Sequence, residues 1–150
     1  MAVIFGANRL EQLVRRVSDV ELDKSDLERL SALVSEKLHD LLLVGVRHGG
    51  YNNRDLIMRP DLPITRGLQE SMQEFKVYDE ALEIDPVLEQ LATYPLMDRQ
   101  PSQEVIDMLP DLVGTLIMVT AQLMTVVDPG VSNPDTETWE RVTQILALLI

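Results

Sequence analysis

Apolar residues recur every three or four positions between residues 24 and 48, a spacing that predicts a long amphipathic helix. Asp23 is a favourable N-cap, and Gly49 with Gly50 predicts the end of the helix. About 25 residues at roughly 1.5 Å each make a rod of about 37 Å. Such a rod needs a surface of equal length against which to bury its apolar positions, which are Leu27, Leu30, Val34, Leu38 and Leu41.

A second long helix is predicted from its N-cap, Ser102, to about Val127. Its uncharged run from Leu112 to Val127 is shorter than the roughly 20 residues that a membrane span needs, so we expect a buried helix. Pro110 lies inside this helix, where its ring would clash with the carbonyl of Ile106. The sequence therefore predicts a kink or a break near Leu109.

Shorter helices are predicted around these two, giving an all-α fold. They cover residues 8–18, the segment from about Leu62 to Tyr78 with Asp61 as its cap, the segment from Pro86 to about Tyr94, and the segment that opens at Asn133-Pro134. Asp55 to Met58 is expected to be a very short strand, and Met97 to Pro101 a connector.

The two halves of the chain match each other when one is shifted by 78 positions. Leu10-Glu-Gln-Leu13 then falls on Leu88-Glu-Gln-Leu91, letter for letter. The apolar positions of the two long helices coincide, and Ile64, Thr65, Leu68 and Met72 fall on Val142, Thr143, Leu146 and Ile150. Three helices in phase at one offset predict an internal duplication within one domain, residues 1–150, with repeats at about 8–78 and 86–150.

Each repeat would contain a short, a long and a short helix, and in this order the chain resembles the histone fold. The segment Arg54-Asp-Leu-Ile-Met-Arg-Pro-Asp61-Leu, after Arg47-His-Gly-Gly, is similar to a loop motif of archaeal histones. The whole pattern most closely resembles an uncharacterised bacterial family of double-histone-fold proteins, whose function is not established. The resemblance implies an intramolecular pseudo-dimer that is a monomer, and a buried ion pair between Arg54 and Asp61.

The net charge of −12 is unevenly distributed, because residues 1–78 are near −1 and residues 79–150 near −11. The resemblance implies two loop edges. One would combine Arg54, Arg59 and Arg99 with three carboxylates, and the other would carry six carboxylates: Asp19, Glu21, Asp23, Asp128, Asp135 and Glu137. Wrapping of DNA by both edges is therefore disfavoured. The candidates for a weaker, one-sided DNA contact are Arg15, Arg16, Arg47, Arg54, Arg59 and Arg66.

No pattern in the chain indicates an enzyme. Glu36-x-x-His39 has the spacing of an iron-ligand pair, but the repeat places Gly114 and Ile117 at the matching positions, so we interpret it as a solvated helix face. A phosphate-binding Gly-rich loop, a nucleophile elbow and a His-Glu-x-x-His motif are all absent from the sequence. We expect no catalytic residue, no metal and no cofactor.

Cysteine is absent, which fits a reducing cytoplasm, and the N-terminus is a poor signal peptide. We expect a cytoplasmic protein with no membrane partner. The sequence thus predicts a non-enzymatic, protein–protein interaction module that uses an acidic face or an apolar groove. Its partner is not identified, although a basic protein, or a tail that mimics nucleic acid, would suit the acidic half. The alternative is a weak or one-sided DNA-binding, nucleoid-associated protein.

Overall fold

The structure, a computed structural model, describes residues 7–78, 89, 91–95 and 97–150. This part is mostly helical, as predicted, and its five α-helices are α1 (Ala7–Val17), α2 (Lys24–Tyr51), α3 (Arg66–Val77), α4 (Gln103–Val127) and α5 (Thr136–Leu149). Two short strands, β1 (Leu56–Ile57) and β2 (Gln100–Pro101), and a 3-10 helix (Arg59–Asp61) lie between them. Of the helix predicted from Pro86 to Tyr94, residues 86–88 and 90 lie outside the described residues, residues 89 and 91 are helical, and residues 92–94 form a turn and a bend.

Helix α2 begins as predicted and ends later than predicted. Asp23 accepts the N–H of Asp26 at 2.8 Å, and the Asp26 carboxylate accepts the N–H of Asp23 at 3.1 Å, which closes a capping box. The expected stop at Gly49-Gly50 is wrong, because the helix runs on to Tyr51 and the left-handed residue is Asn53, with φ of 55°. Gly50 instead leaves room for the Arg99 side chain, because a Cβ at this position would lie 3.2 Å from Nη1 of Arg99.

Helix α4 is the centre of the core and contacts α1, α2, α3 and α5. Its contact with α2 confirms that the two long helices touch. Length and composition alone would allow α4 to cross a membrane, but more than half of its most apolar 18-residue window is buried inside the protein. Of the predicted kink or break near Leu109, the break is wrong, because the helix continues through Pro110, and Leu109 and Leu112 on either side are fully buried. The kink stays a prediction.

The third helix of each half begins later than predicted. Helix α3 is capped by Thr65, whose Oγ1 accepts the N–H of Leu68 at 3.2 Å, and not by Asp61. Asp61 cannot serve as that cap, because its carboxylate accepts the N–H of Met58 and pairs with Arg54 inside the preceding turn. Helix α5 starts after Asp135, which accepts the N–H of Thr138 at 2.8 Å.

These caps correct the gapless offset of 78. The N-caps of the long helices, Asp23 and Ser102, are 79 positions apart, whereas the N-caps Thr65 and Asp135 are 70 apart. Thr143, predicted to match Thr65, lies in the middle of α5. The pattern misled because any two amphipathic helices can be brought into phase by a shift of less than one turn, so matching apolar positions do not determine the offset. Each half nevertheless has a capped long helix, then a loop, then a capped shorter helix.

Each half contributes a connector that lies beside a loop of the other half. Strand β1 pairs in parallel with β2, and the N–H of Ser102 donates to the carbonyl of Ile57 at 2.9 Å. At the opposite end, the N–H of Glu21 donates to the carbonyl of Ser132 at 2.6 Å. These two backbone pairings create two loop edges and hold the halves in register.

Candidate interaction surfaces

The first loop edge lies around the β1–β2 pairing and carries Arg54, Arg59 and Arg99 together with Asp55, Asp61 and Asp98. Arg54 forms an ion pair with Asp61, whose side chain is only 2% exposed, while the Arg54 side chain is 38% exposed. Nδ1 of His48 donates to the Asp61 carbonyl at 2.7 Å, and Nε of Arg99 donates to the Arg54 carbonyl at 2.8 Å. Arg54 and Arg99 thus hold the loop to the rest of the protein.

The arginines proposed from sequence as DNA contacts do not converge on this edge. Arg15 is 2.9 Å from Glu11 and 3.9 Å from Glu21, so it lies beside the opposite edge. Arg16 lies over the Tyr78 ring at 5.6 Å, and Arg66 bonds to Glu70 at 3.0 Å on α3. The two remaining candidates, Arg47 and Arg59, are exposed and form no ion pair with another described residue.

The second loop edge, the acidic edge, carries Asp19, Glu21, Asp23, Asp128, Asp135 and Glu137. The backbone N–H of Thr138 bonds to Asp135 and holds the pKa of that carboxyl below its usual value of 3.8. Two arginines lie near this edge, because Arg15 is 3.9 Å from Glu21 and Arg141 bonds to Glu137 at 2.5 Å. Carboxylates still outnumber cations there.

A groove of about 800 Å³ lies between α2 and α5, and we call it the α2/α5 groove. Its floor is formed by Ala32, Leu33 and Trp139. Trp139, the single tryptophan of the chain, is buried, and its Nε1 donates to Oδ1 of Asp26 at 2.9 Å. This bond ties the start of α2 to α5, so the groove walls are fixed relative to each other at one end.

The walls of the groove carry more carboxylates than cations. Glu137 is neutralised by Arg141, but Glu36 on α2 and Glu140 on α5 form no ion pair with any residue that the structure describes. Arg29 is the remaining cation in the lining. The groove therefore combines an apolar floor with an unpaired carboxylate on each wall.

The carboxylates on this face of α2 affect the pKa of a neighbouring side chain. Burial raises the pKa of the Tyr94 phenol, and the charges of Glu36 and Asp40 raise it further. The ring of Tyr94 stacks on His39 with centroids 4.4 Å apart. Glu36-x-x-His39 is thus not simply a solvated face, since His39 is half-buried under Tyr94. In the described part of the chain no three His, Cys, Asp or Glu side chains are grouped closely enough to hold a metal.

The sequence did not locate the groove, and no local pattern in it could have done so. Asp26 stands in the first turn of α2, where a carboxylate is ordinary helix chemistry. A carboxylate in the first turn and a lone tryptophan 113 positions later could have been paired only with knowledge of the tertiary fold.

Comparison with solved structures shows the same fold in two bacterial proteins. A crystal structure from Thermus thermophilus has a TM-score of 0.94 at 42% identity, covering 98% of this chain and 99% of that one. A 1.9 Å crystal structure from Aquifex aeolicus has a TM-score of 0.82 at 24% identity, covering 100% and 99%, and shows likeness of fold alone.

Sequence relatives carry no assigned activity. An uncharacterized protein of Aquifex aeolicus (strain VF5) is 25% identical over 141 residues, which is 94% of this chain and 82% of the relative. A family model described as a domain of unknown function, DUF1931, matches residues 10–147. Since that match spans nearly the whole chain, the protein belongs to the DUF1931 family, whose function is unknown.

Proposed function

We propose that the protein is a single domain with a histone-fold pseudo-dimer architecture. The support is the backbone pairing at both edges, where a connector of one half lies against a loop of the other half in each case. The contact between the two long helices agrees with this arrangement. In this architecture one chain supplies both partners of a histone-like pair, and the protein is a monomer.

The function that we propose is non-enzymatic binding of a protein partner in the cytoplasm, without a cofactor. The observation that carries the proposal is the α2/α5 groove, with its apolar floor and its unpaired Glu36 and Glu140. Such a groove fits the helix-in-groove mode of recognition, in which an amphipathic helix lays its apolar face between two helices. The partner segment would be a basic amphipathic helix.

The steps of binding follow from the groove. The net charge of −12 attracts a cationic segment at long range and speeds its encounter. Apolar side chains of the segment then cover Leu33 and Trp139, while Lys or Arg side chains reach Glu36 and Glu140 on opposite walls. Each of these rim charges contributes mainly to orientation and rate of association, since exposed pairs stabilise by only about 0–1 kcal/mol.

The test uses Trp139 as a reporter, because it is the only tryptophan and lies on the groove floor. A synthetic basic amphipathic helix should change its emission saturably, and an acidic peptide of the same apolar pattern should not. Glu36→Lys with Glu140→Lys should weaken binding by about tenfold or more at 50 mM salt, because two attractive wall charges become repulsive. Asp107→Lys with Asp128→Lys alters net charge equally at exposed sites outside the groove lining, so it should preserve most of the binding.

Equal loss of binding in both double variants would show that only net charge matters, which would refute the groove. A photo-crosslinker in place of Thr143, which lines the groove, then tests the protein in host lysate. It should give an adduct with a basic protein, and the same crosslinker at exposed Gln103 should not. The same adducts from both positions would also count against the groove.

One-sided DNA binding is the second candidate, and exposed Arg47 and Arg59 are the observation in its favour. Two phosphate contacts predict a salt slope of about −2, which means weak binding at physiological salt. Labelled duplex titrated at 50 and 200 mM salt should show binding only at the lower salt, or none. Micromolar affinity that persists at 200 mM, and is lost in Arg47→Glu with Arg59→Glu, would replace the protein-partner proposal.

A further inference from the structure

A second pocket, of about 400 Å³, lies between the 3-10 helix and α3, and we call it the α3 pocket. Its apolar surface comes from Leu62 and Met72, which are buried, and from Ile64, which is partly buried. The exposed side chains of Arg59 and Lys76 also line it, and they are the first and the last of its lining residues along the sequence. Pro60, Gln69 and Gln73 complete it.

The charge of this pocket is opposite to that of the protein. No carboxylate of the described residues lines it, although the chain as a whole has a net charge of −12. The acidic residues of α3 are engaged elsewhere, because Glu70 bonds to Arg66 and Glu74 accepts from Nε2 of Gln122 at 3.1 Å. Arg59 and Lys76 form no ion pair with any other described residue. Among the described residues, therefore, nothing prevents these two cations from binding an anion from solution.

We propose that the α3 pocket binds a small amphiphilic carboxylate, a medium-chain fatty acid being the simplest example. The alkyl chain covers Leu62, Ile64 and Met72, and the carboxylate stays in water at the rim beside Arg59 and Lys76. Amides of Gln69 and Gln73 supply further hydrogen-bond donors along the same side of α3. The site is independent of the α2/α5 groove, with which it shares no lining residue.

The dimensions favour a small molecule over an acidic peptide helix. A volume of about 400 Å³ lies near the lower end of the usual range of small-molecule sites, about 300–1,000 Å³. Its walls are one helix and a three-residue turn, which do not form a long channel between two helices. For a ligand of about a dozen non-hydrogen atoms at ordinary ligand efficiency, the expected Kd is on the order of 0.1–1 mM.

The test follows the methionine methyl signals by NMR while decanoate is added to the intact protein. The signal of Met72, assigned through Met72→Leu, should shift saturably, and the other methionine signals should shift less. Decanol has the same chain length but no charge, and at equal concentrations within its low solubility it should shift the Met72 signal less than decanoate does. Arg59→Gln with Lys76→Gln should weaken decanoate binding by at least about fivefold, since charge-assisted contacts are lost.

Lys24→Gln is the matched control, because Lys24 is exposed, does not line the pocket and forms no ion pair with another described residue. It should leave decanoate binding unchanged. Absence of a saturable Met72 shift up to about ten times the expected Kd, an equal Met72 shift with decanol, or equal binding by the double variant would each overturn the proposal. An acidic amphipathic peptide that shifts Met72 at lower concentration than decanoate would assign the pocket to a protein ligand instead.

Discussion

The Arg54–Asp61 pair allows a quantitative test of how the first loop is held. In Arg54→Ala the Asp61 carboxylate, only 2% exposed, loses its cation. Removal of one partner from a fully buried pair costs roughly 3–5 kcal/mol. The cost here should be smaller, because the Arg54 side chain is 38% exposed and its removal admits water to the carboxylate. The Met58 N–H also remains as a donor to Asp61 at 2.8 Å.

We therefore expect Arg54→Ala to lower the free energy of unfolding by about 2 kcal/mol. At about 2–4 °C per kcal/mol for a chain of this size, Tm should fall by about 4–8 °C. Urea unfolding at pH 7 and calorimetry measure the two quantities. Arg54→Lys should recover only part of the loss, because lysine keeps the charge but not the guanidinium geometry.

Arg66→Ala is the control, since Arg66 and Glu70 form an ion pair whose side chains are 90% and 67% exposed. Its loss should change stability by no more than about 0.5 kcal/mol. Equal effects of Arg54→Ala and Arg66→Ala would refute the reasoning and identify Arg54 as an ordinary surface arginine. A double-mutant cycle with Asp61→Ala would then give a coupling energy near zero.

Three further predictions concern other elements. Gly114→Ala should destabilise the folded protein by about 1–3 kcal/mol, because the new Cβ would lie 2.1 Å from the Phe75 ring. Urea unfolding measures this change. The double variant Gly114→Ala with Phe75→Leu should lose less stability than the sum of the losses in the two single variants. Pro110→Ala should raise the free energy of unfolding by about 2 kcal/mol. A proline in a helix interior costs about 3 kcal/mol, and the rigidity that it gives the unfolded chain offsets less than about 1 kcal/mol of this cost. An unchanged urea midpoint would contradict this prediction. The pKa of Asp135 is lower in the folded state, so its contribution to stability is present above the ordinary value of 3.8 and is lost as pH falls through the folded pKa. The Tm difference between the wild type and Asp135→Asn should therefore shrink below about pH 3.8, and a pH-independent difference would count against the cap.

The sequence determined the helical class and the residues that lie inside. All five positions of the predicted α2 stripe, from Leu27 to Leu41, are buried. The caps Asp23 and Ser102 are the predicted ones. These features are local: a helix period and a side chain that accepts a backbone N–H three residues away can be read from neighbouring letters.

At several positions the tertiary contacts, and not the local sequence preference, determined the structure. Gly49 and Gly50 could have ended α2, but they remain helical and give the Arg99 side chain room to pack against them. Pro110 could have broken α4, yet the buried residues around it keep the helix continuous. Asp61 could have capped α3, but its carboxylate is bonded to the Arg54 side chain and to the N–H of Met58 instead. In each case a distant contact outweighs a local preference worth only about 1–3 kcal/mol.

The candidate sites depended most on the tertiary fold. The α2/α5 groove joins residues near position 30 to residues near position 140, and its floor is set by the bond between Trp139 and Asp26. The charges that matter there are those left unpaired, and pairing is decided by distance in space. The numbers of arginines and carboxylates can be read from the sequence, but the packing of the helices determines which of them face a partner.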